Sequence, residues 1–314
     1  MIFGDLQRFG ILGINNRIGR FILRHNHRSL YPLVDHKVKT AQRAQAWGVP
    51  MPENYLVIES VGDLKDLPRQ LEGRSSFVVK PANGSQGNGI IVITEVLSDE
   101  AGKLVFRRSS GKLLTLEELR HHIAGILSGM YSLSGSADVA IIQQKIDCHP
   151  VFAGVSFGGI PDIRVIVHLG YPVMSMVRLP TKKSDGKANL HQGAIGAGID
   201  LKTGTTTFAV IEGRIVERHP DTGGELRGIQ IPHWQEILEL AARSFDMVGL
   251  GYLGVDIVLT PDHGPIILEL NARPGLGIQI ANQQGLLPRL QHVLANTSKG
   301  LSARERVALA REWF

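Results

Sequence analysis

From Gly254 to Gly277 the chain reads GVDIVLTPDHGPIILELNARPGLG, and its apolar and polar positions alternate. Val255, Ile257 and Leu259 fall on one face of a strand and Asp256 on the other. Ile266, Leu268 and Leu270 fall on one face of the next strand, Glu269 and Asn271 on the other. Pro261-Asp262-His263-Gly264 supply the turn. A symmetric turn that sets Thr260 against Pro265 also sets Asp256 against Glu269. Two carboxylates facing each other across antiparallel strands repel. A divalent cation removes the conflict, and Asn271 adds a neutral oxygen from the same face. Oxygen-only ligands suit Mg²⁺ or Mn²⁺, which also take phosphate oxygens. An exposed polar face on an edge hairpin accounts for the same pattern, so the choice turns on whether a nucleotide site exists elsewhere.

The remaining periodicities place further elements. Residues 1–34 interleave Phe9, Ile11, Leu12, Ile14, Ile18, Phe21, Ile22 and Leu23 with Arg17, Arg20, Arg24 and Arg28, which predicts a helix near Arg17–Asn26 packed on the body. Its arginines read as a solvated face, with a contact surface for an acidic partner as the alternative. Asp35 can cap a second helix, His36–Trp47, ended by Gly48 and Pro50, with Lys37 and Lys39 in its first turn. Strands follow at Tyr55–Glu59, Phe77–Lys80 and Ile90–Ile93, the last two joined by the small-residue loop at 81–89. With no Gly-Lys-Ser/Thr and no following helix it is not a Walker A loop, yet its amides can lie against phosphates with Lys80 beside them. An ordinary hairpin loop is the alternative.

Thr115 and Glu118 form a capping box before a helix with Leu116, Leu119, Ile123 and Ile126 on one face. An apolar strand, Val139–Ile142, runs into Gln143-Gln144-Lys145-Ile146. Asp162 to Val167 alternates as a strand, and Val173–Leu179 follows after Gly170-Tyr171; Asp162 and Arg164 share a face and could pair or both meet a ligand. A polar loop, Thr181–Gly198, has lid length and a further hairpin turns at 202–204. Residues 233–248 form an amphipathic helix. Gly249-Leu-Gly251-Tyr-Leu-Gly254 matches G-x-G-x-x-G, but a helix precedes it and a strand follows, the reverse of a dinucleotide fingerprint.

Bulk composition narrows the picture only slightly. The chain has 314 residues, 43% of them hydrophobic, and a formal net charge of +5. That excess suits anionic small molecules better than nucleic acid. One cysteine, Cys148, excludes an internal disulfide framework and points to a reducing, cytoplasmic setting. No apolar run approaches a membrane span, so no membrane insertion is expected.

In order, these pieces resemble the ATP-grasp superfamily, and within it the RimK-type, alpha-L-glutamate ligase-like branch, over residues 35–285. The carrying motifs are FVVKPANGSQGNG at 77–89, NLHQG at 189–193, and GVDIVL with ILELNARPGL ending at Leu276. The resemblance implies an α+β ATP-grasp fold, two subdomains clasping ATP, with a short helical segment at 1–50 in place of a full preceding domain. A lid subdomain with the Gly-rich loop is expected at 51–146, and a subdomain with the metal site at 147–314. It also implies that Lys37, Lys80, Gly84, Ser85, Gly87, Gly89, Gln143, Gln144, Lys145, Ile146 and Asp162 serve the nucleotide, Gln144 and Ile146 through backbone groups at a hinge, with Asp147 a weaker ribose candidate. Arg164, Arg178, Asn189, His191 and Arg273 are implied near the reacting groups, and Asp256, Glu269 and Asn271 as ligands of two Mg²⁺ ions.

The implied reaction joins a carboxylate to an amine or peptide acceptor, with glutamate or another amino acid as substrate, through an acyl phosphate made with ATP. An ATP-binding regulatory protein of the same fold without ligase activity, and a phosphotransferase stopping at phosphoryl transfer, remain open. The sequence departs from the pattern at His36, at Gln144 where a glutamate is common, at Arg273 where a smaller residue is usual, and in the roughly 35 residues before Lys37.

Overall fold

A computed structural model describes residues 8–84, 87–132 and 135–314. They form two compact units. One comprises the described residues up to Asp35 together with Arg43–Met51 and Asp147–Phe314; the other comprises His36–Gln42 and the described part of Pro52–Ile146.

The smaller unit is built on strands β1 (Asn54–Ile58), β2 (Phe77–Pro81), β3 (Ile91–Ser98), β4 (Leu104–Arg108), β5 (Leu113–Thr115) and β6 (Ala140–Gln143). They make one antiparallel sheet in the order β1-β6-β2-β3-β4-β5. The capping box forms as expected: Thr115 Oγ1 accepts from the Glu118 N–H at 3.2 Å, and Glu118 Oε2 accepts from the Thr115 N–H at 2.8 Å. Two orphan donors of the helix Leu116–Leu127 are thereby satisfied. That helix buries Leu119, Ile123 and Ile126 in a core with Phe77, Val79, Ile93, Phe106 and Ile142. The strands β4 and β5 are not foreshadowed by any alternation in Leu104–Arg108, where two arginines end an apolar triplet.

The larger unit holds β7 (Asp162–His168), β8 (Tyr171–Leu179), β9 (Ile195–Ile199), β10 (Thr206–Ile211), β11 (Arg214–Val216), β12 (Tyr252–Thr260) and β13 (Gly264–Asn271), ordered β11-β10-β9-β8-β7-β12-β13 and antiparallel throughout. One face packs Ile163, Val165, Val177, Val255 and Ile257 against the helix Trp234–Val248, whose Ile237, Leu238 and Ala241 are buried. Gly249 ends that helix at φ 72° and the strand β12 begins at Tyr252, so the G-x-G-x-x-G stretch joins helix to strand.

The opposite face changes character along its length. Toward one end Ile166, Met174, Met176 and Tyr252 meet Leu12, Phe21 and Ile22 from the N-terminal segment and Ile278, Leu290 and Val293 from the C-terminal helices. Toward the other end the same face carries Asp162, Arg164, Arg178 and Asp256. The N-terminal segment is tied down by Asn26, whose amide donates to the Tyr252 carbonyl at 2.8 Å and accepts from the Tyr252 N–H at 2.8 Å. Its helical run is α at Ile14–Asn16, π at Arg17–Ile22 and α again at Leu23–His25, longer at its start than the periodicity predicted. Among the described residues no helix is long and apolar enough to cross a membrane.

The hairpin of β12 and β13 pairs Asp256 with Glu269, as expected, but by another route. Thr260 pairs with Gly264 rather than Pro265, a tighter turn than the symmetric one. A bulge at Leu268, between the Ile257–Ile267 and Asp256–Glu269 pairs, restores the offset. In consequence Ile267 and Leu270, not Leu268, join the core on the helix-packed face.

Candidate active site

The charged end of the large sheet is a consequence of register. Asp162 pairs with Arg178 across β7 and β8, and Arg164 pairs with Asp256 across β7 and β12, next to Glu269 on β13. Arg164 grips Asp256 with two bonds, Nε to Oδ1 at 2.7 Å and Nη2 to Oδ2 at 2.6 Å. Arg178 grips Asp162 likewise, Nε to Oδ1 at 2.5 Å and Nη2 to Oδ2 at 2.7 Å, and its Nη2 also reaches Asp256 Oδ2 at 2.8 Å. Asn271 Nδ2 donates to the same Asp256 oxygen at 3.1 Å. The structure therefore brings together Arg164, Arg178, Asp256 and Asn271, with Glu269 directly across from Asp256. Asp162 and Arg164 share a face as expected but do not pair with each other.

Burial makes these contacts consequential. The Asp256 and Asp162 side chains are 2% and 5% exposed, and those of Arg164 and Arg178 12% and 13%. Burial opposes ionisation of Asp256, but the Arg164 and Arg178 guanidiniums outweigh it and hold the carboxyl at about 2. Burial lifts Asp162 to about 6; Arg178 pulls against that shift and the Asp256 charge adds to it. Burial also works against the Arg178 charge, and the two aspartates more than restore it.

That balance qualifies the electrostatic argument for a cation. Repulsion between Asp256 and Glu269 is already offset by arginine, so the carboxylate pair alone does not demand a metal. The donor chemistry still fits a hard ion: two carboxylates in opposite register and an amide oxygen, with no sulfur or imidazole. An ion taking Asp256 Oδ2 has to displace donors from it, because Arg164 Nη2, Arg178 Nη2 and Asn271 Nδ2 all bond that oxygen. Among the described residues no three His, Cys, Asp or Glu side chains gather into a metal cage.

Other expected residues stand apart from this cluster in their bonding. Asp162, expected to serve the nucleotide, is the buried counter-ion of Arg178. Arg273 donates to Asp35 at 3.0 Å and lies over the Tyr31 ring, 4.8 Å from its centroid. Asn189 Oδ1 accepts from the His191 N–H at 3.0 Å, closing a single 3-10 turn at Leu190–Gln192. Leu190 anchors that turn, since a Cβ placed on Gly277 would lie 3.2 Å from it. Gly254 is needed where it stands: a Cβ there would come within 2.6 Å of Pro274. The Cys148 thiol is pushed up by partial burial and by the Asp147 charge, away from nucleophilic use.

The smaller unit presents the loop at 81–89, a hairpin connection between β2 and β3. Ser85 lies outside the described residues. Lys37 Nζ donates to the Gly84 carbonyl at 2.8 Å, so the helix lysine and the loop are already joined. Lys80 is 6% exposed at the end of β2. Gly87 and Gly89 adopt φ 77° and 75°, and a Cβ on Gly89 would meet the Tyr131 ring at 2.6 Å. The Gly89 carbonyl bonds His122 Nε2 at 2.9 Å. Asp138 fixes the other side of the loop, accepting from the Asn83 N–H at 3.0 Å, from Asn83 Nδ2 at 2.7 Å and from the Val139 N–H at 2.8 Å. Sequence reasoning missed both supports; an aspartate just before an apolar strand was the available signal.

At the end of β6, Gln143 Nε2 donates to Asn54 Oδ1 at 2.7 Å, and the Gln144 N–H donates to the Glu53 carbonyl at 2.8 Å. An adenine contact through that N–H would require giving up the bond. Lys145 and Ile146 continue the chain, Ile146 8% exposed.

Comparison with known proteins bears on this arrangement. A probable alpha-L-glutamate ligase of Legionella pneumophila is 24% identical over 271 residues, covering 86% of this chain and 66% of the relative. One from Maridesulfovibrio salexigens is 29% identical over 168 residues, 54% of this chain and 40% of that protein. The chain thus spans less than two thirds of these relatives' length. D-alanyl-alanine synthetase A from Vibrio cholerae superposes with a TM-score of 0.47 at 13% identity, over 90% of this chain and 66% of that one. The model of the family described as sugar-transfer associated ATP-grasp matches residues 16–295. With an α+β architecture of two antiparallel sheets and a match over most of its length, the chain belongs to the sugar-transfer associated ATP-grasp family.

Proposed function

We propose that this protein is an ATP- and Mg²⁺-dependent ligase that joins a carboxylate to an amine or peptide acceptor, working in the cytoplasm. The observation that carries the reading is the row Arg164–Asp256–Glu269 on one sheet face, with Arg178 and Asn271 on Asp256, in a chain of ATP-grasp family. A carboxylate is a poor electrophile. Its oxygen attacks the γ-phosphorus of ATP and ADP leaves; the amine nitrogen then attacks the acyl carbon, phosphate leaves, and the nitrogen gives up a proton to form the amide.

Each residue has a role that its chemistry suits. Lys37, Lys80 and the amides at 84–89 would hold phosphate oxygens, and residues 143–146 the base. Asp256, Glu269 and Asn271 would hold Mg²⁺, which supplies charge neutralisation along the phosphate chain. Arg164 and Arg178 would shift part of their charge from aspartate to a transferring phosphoryl group. Asn189 and His191 would orient the reacting groups. Arg273, 51% exposed and only loosely committed to Asp35, would meet an acidic substrate such as glutamate.

A second reading rests on the same residues. Asp256 has both oxygens bonded to guanidinium, which suits an ATP-binding protein without ligase activity. Incubation with ATP, Mg²⁺ and a library of amino acids and acceptors separates the two. Release of ADP and phosphate with a new amide in the mass spectrum supports ligation. Nucleotide binding with no product from any pair favours the second reading, and a stable phosphorylated product makes the enzyme a phosphotransferase.

A further inference from the structure

The N-terminal segment shows two faces of opposite character. Phe21 and Ile22 are fully or nearly fully buried in the core of the large unit. Outward, the same helical run exposes Ile14 at 62%, Ile18 at 40% and Leu23 at 58%, with Phe9 at 74% just before it. Exposed single apolar residues are ordinary; an aligned row of them is not. The alignment here is made by the backbone. Ile14 and Ile18 are one α turn apart, but Leu23, five residues beyond Ile18, would lie far round an α-helix. The π turn at Arg17–Ile22 corrects this: the Leu23 N–H donates to the Ile18 carbonyl, five residues back, so both side chains stand on one side.

This row is held in place, not left over from a frayed end. The Leu12 N–H donates to Gln279 Oε1 at 2.8 Å, Gln279 Nε2 donates to the Leu12 carbonyl at 3.1 Å, and Asn26 is locked to Tyr252 at the other end. Its charge is equally one-sided. Between Arg8 and Val34 there are five arginines and no aspartate or glutamate. Arg20 and Arg24 lie four residues apart on this run and both are exposed; Arg28, also exposed, starts a separate 3-10 turn beyond its end.

We infer that this face docks the protein on an anionic phospholipid surface, with Ile14, Ile18 and Leu23 entering the acyl boundary and Arg20 and Arg24 at the headgroup phosphates. An interfacial helix of this kind lies in the membrane plane without crossing it. The row offers aliphatic side chains with cationic flanks. A fluid anionic surface accepts such a row, whereas a folded acidic partner would need a matching apolar groove. Arginine stems can lie along the apolar layer while their heads stay with phosphate.

Vesicle flotation of the whole chain tests this, comparing phosphatidylcholine alone with phosphatidylcholine rich in phosphatidylglycerol. Binding is expected only to the second, weakening as salt is raised. Ile18→Ser with Leu23→Ser, and separately Arg20→Glu with Arg24→Glu, are each expected to lower vesicle affinity about tenfold or more. A second measurement is independent of those variants: in Cys148→Ser with Ile18→Cys, a polarity-sensitive fluorophore on the introduced thiol should shift to the blue on phosphatidylglycerol vesicles. Absence of binding, equal binding to both vesicle types, or full binding by both double variants overturns the inference. So does a self-association removed by Ile18→Ser with Leu23→Ser, or an equal affinity for polyglutamate without the blue shift; these identify a second copy or an acidic protein as the occupant.

Discussion

Arg178 stands directly across the sheet from Asp162 and bonds both of its oxygens, while the same guanidinium reaches Asp256 on the next strand but one. One cation thus serves two buried anions. Replacing it by Met leaves Asp162 unpaired in the interior and strips a donor from Asp256, which should destabilise the large unit by about 3–5 kcal/mol. Asp162→Asn combined with Arg178→Met should recover part of that loss. All three tryptophans, Trp47, Trp234 and Trp313, lie in this unit, so urea unfolding followed by their fluorescence reports on it directly. A loss below about 1 kcal/mol would show the bridge to be dispensable.

Glu269 allows a cleaner test of the metal than Asp256, because Asp256 also anchors both arginines. Glu269→Gln should leave folding intact, weaken Mn²⁺ binding to the ATP complex about tenfold, and reduce turnover about a hundredfold or more. Electron paramagnetic resonance of Mn²⁺ gives the first value without relying on activity. Unchanged Mn²⁺ affinity would remove Glu269 from the ligand set.

His168 is fully buried, with its Nδ1–H bonded to the Gly251 carbonyl at 2.8 Å and Nε2 enclosed without a partner among the described residues. Burial depresses the imidazole to about 4; the Gly251 bond resists this and His25 adds to it. Below its ordinary value near 6.5 the unfolded chain binds a proton that the folded chain refuses. Stability should therefore be complete above about pH 6.5 and fall as pH drops toward 4, by up to roughly 3 kcal/mol. His168→Gln should flatten that segment of the profile, and a profile unchanged by the substitution would exclude His168 as its source.

Asp138→Ala removes the acceptor of three bonds at the base of the loop at 81–89 and leaves half-buried donors unsatisfied, at about 1–3 kcal/mol. Amide exchange at Asn83 and Val139 should accelerate and ATP affinity should drop. Exchange rates that stay the same would mean the loop is held by Lys37 and His122 alone.

Arg273 is paired with Asp35 on the surface, where such contacts contribute little. Arg273→Ala should shift stability by under about 1 kcal/mol. If the residue selects an acidic substrate, KM for that substrate rises while kcat with a neutral analogue is retained. Equal effects on both substrates would point to a role in closing the site instead.

How far the sequence revealed this molecule depends on the range of each interaction. The Thr115–Glu118 cap and the helix-to-strand character of 249–254 are local, and residue type with spacing sufficed. The Asp256–Glu269 pairing emerged from alternation although two register details were wrong, because they cancel. The Asp162–Arg178 pair was not legible. The turn at Leu169-Gly170 alone, with His168 opposite Tyr171, would set Asp162 against Val177; an irregularity between Ile166 and Val167 moves Arg178 into its place. Asp138 was missed because its partners, Asn83 and its N–H, lie 55 residues away.

The bulge at Leu268 gives the hairpin a length tolerance. It lies in the edge strand, with Ile267 covered through its N–H bond to the Pro50 carbonyl at 2.9 Å. Removing one residue from the turn at 261–263 would straighten the bulge, and deleting Leu268 would excise it. In both cases Asp256 keeps Glu269 as its neighbour. The turn can therefore vary by a residue over evolutionary time, or under a protein engineer's hand, while the chemistry-bearing pair stays in step.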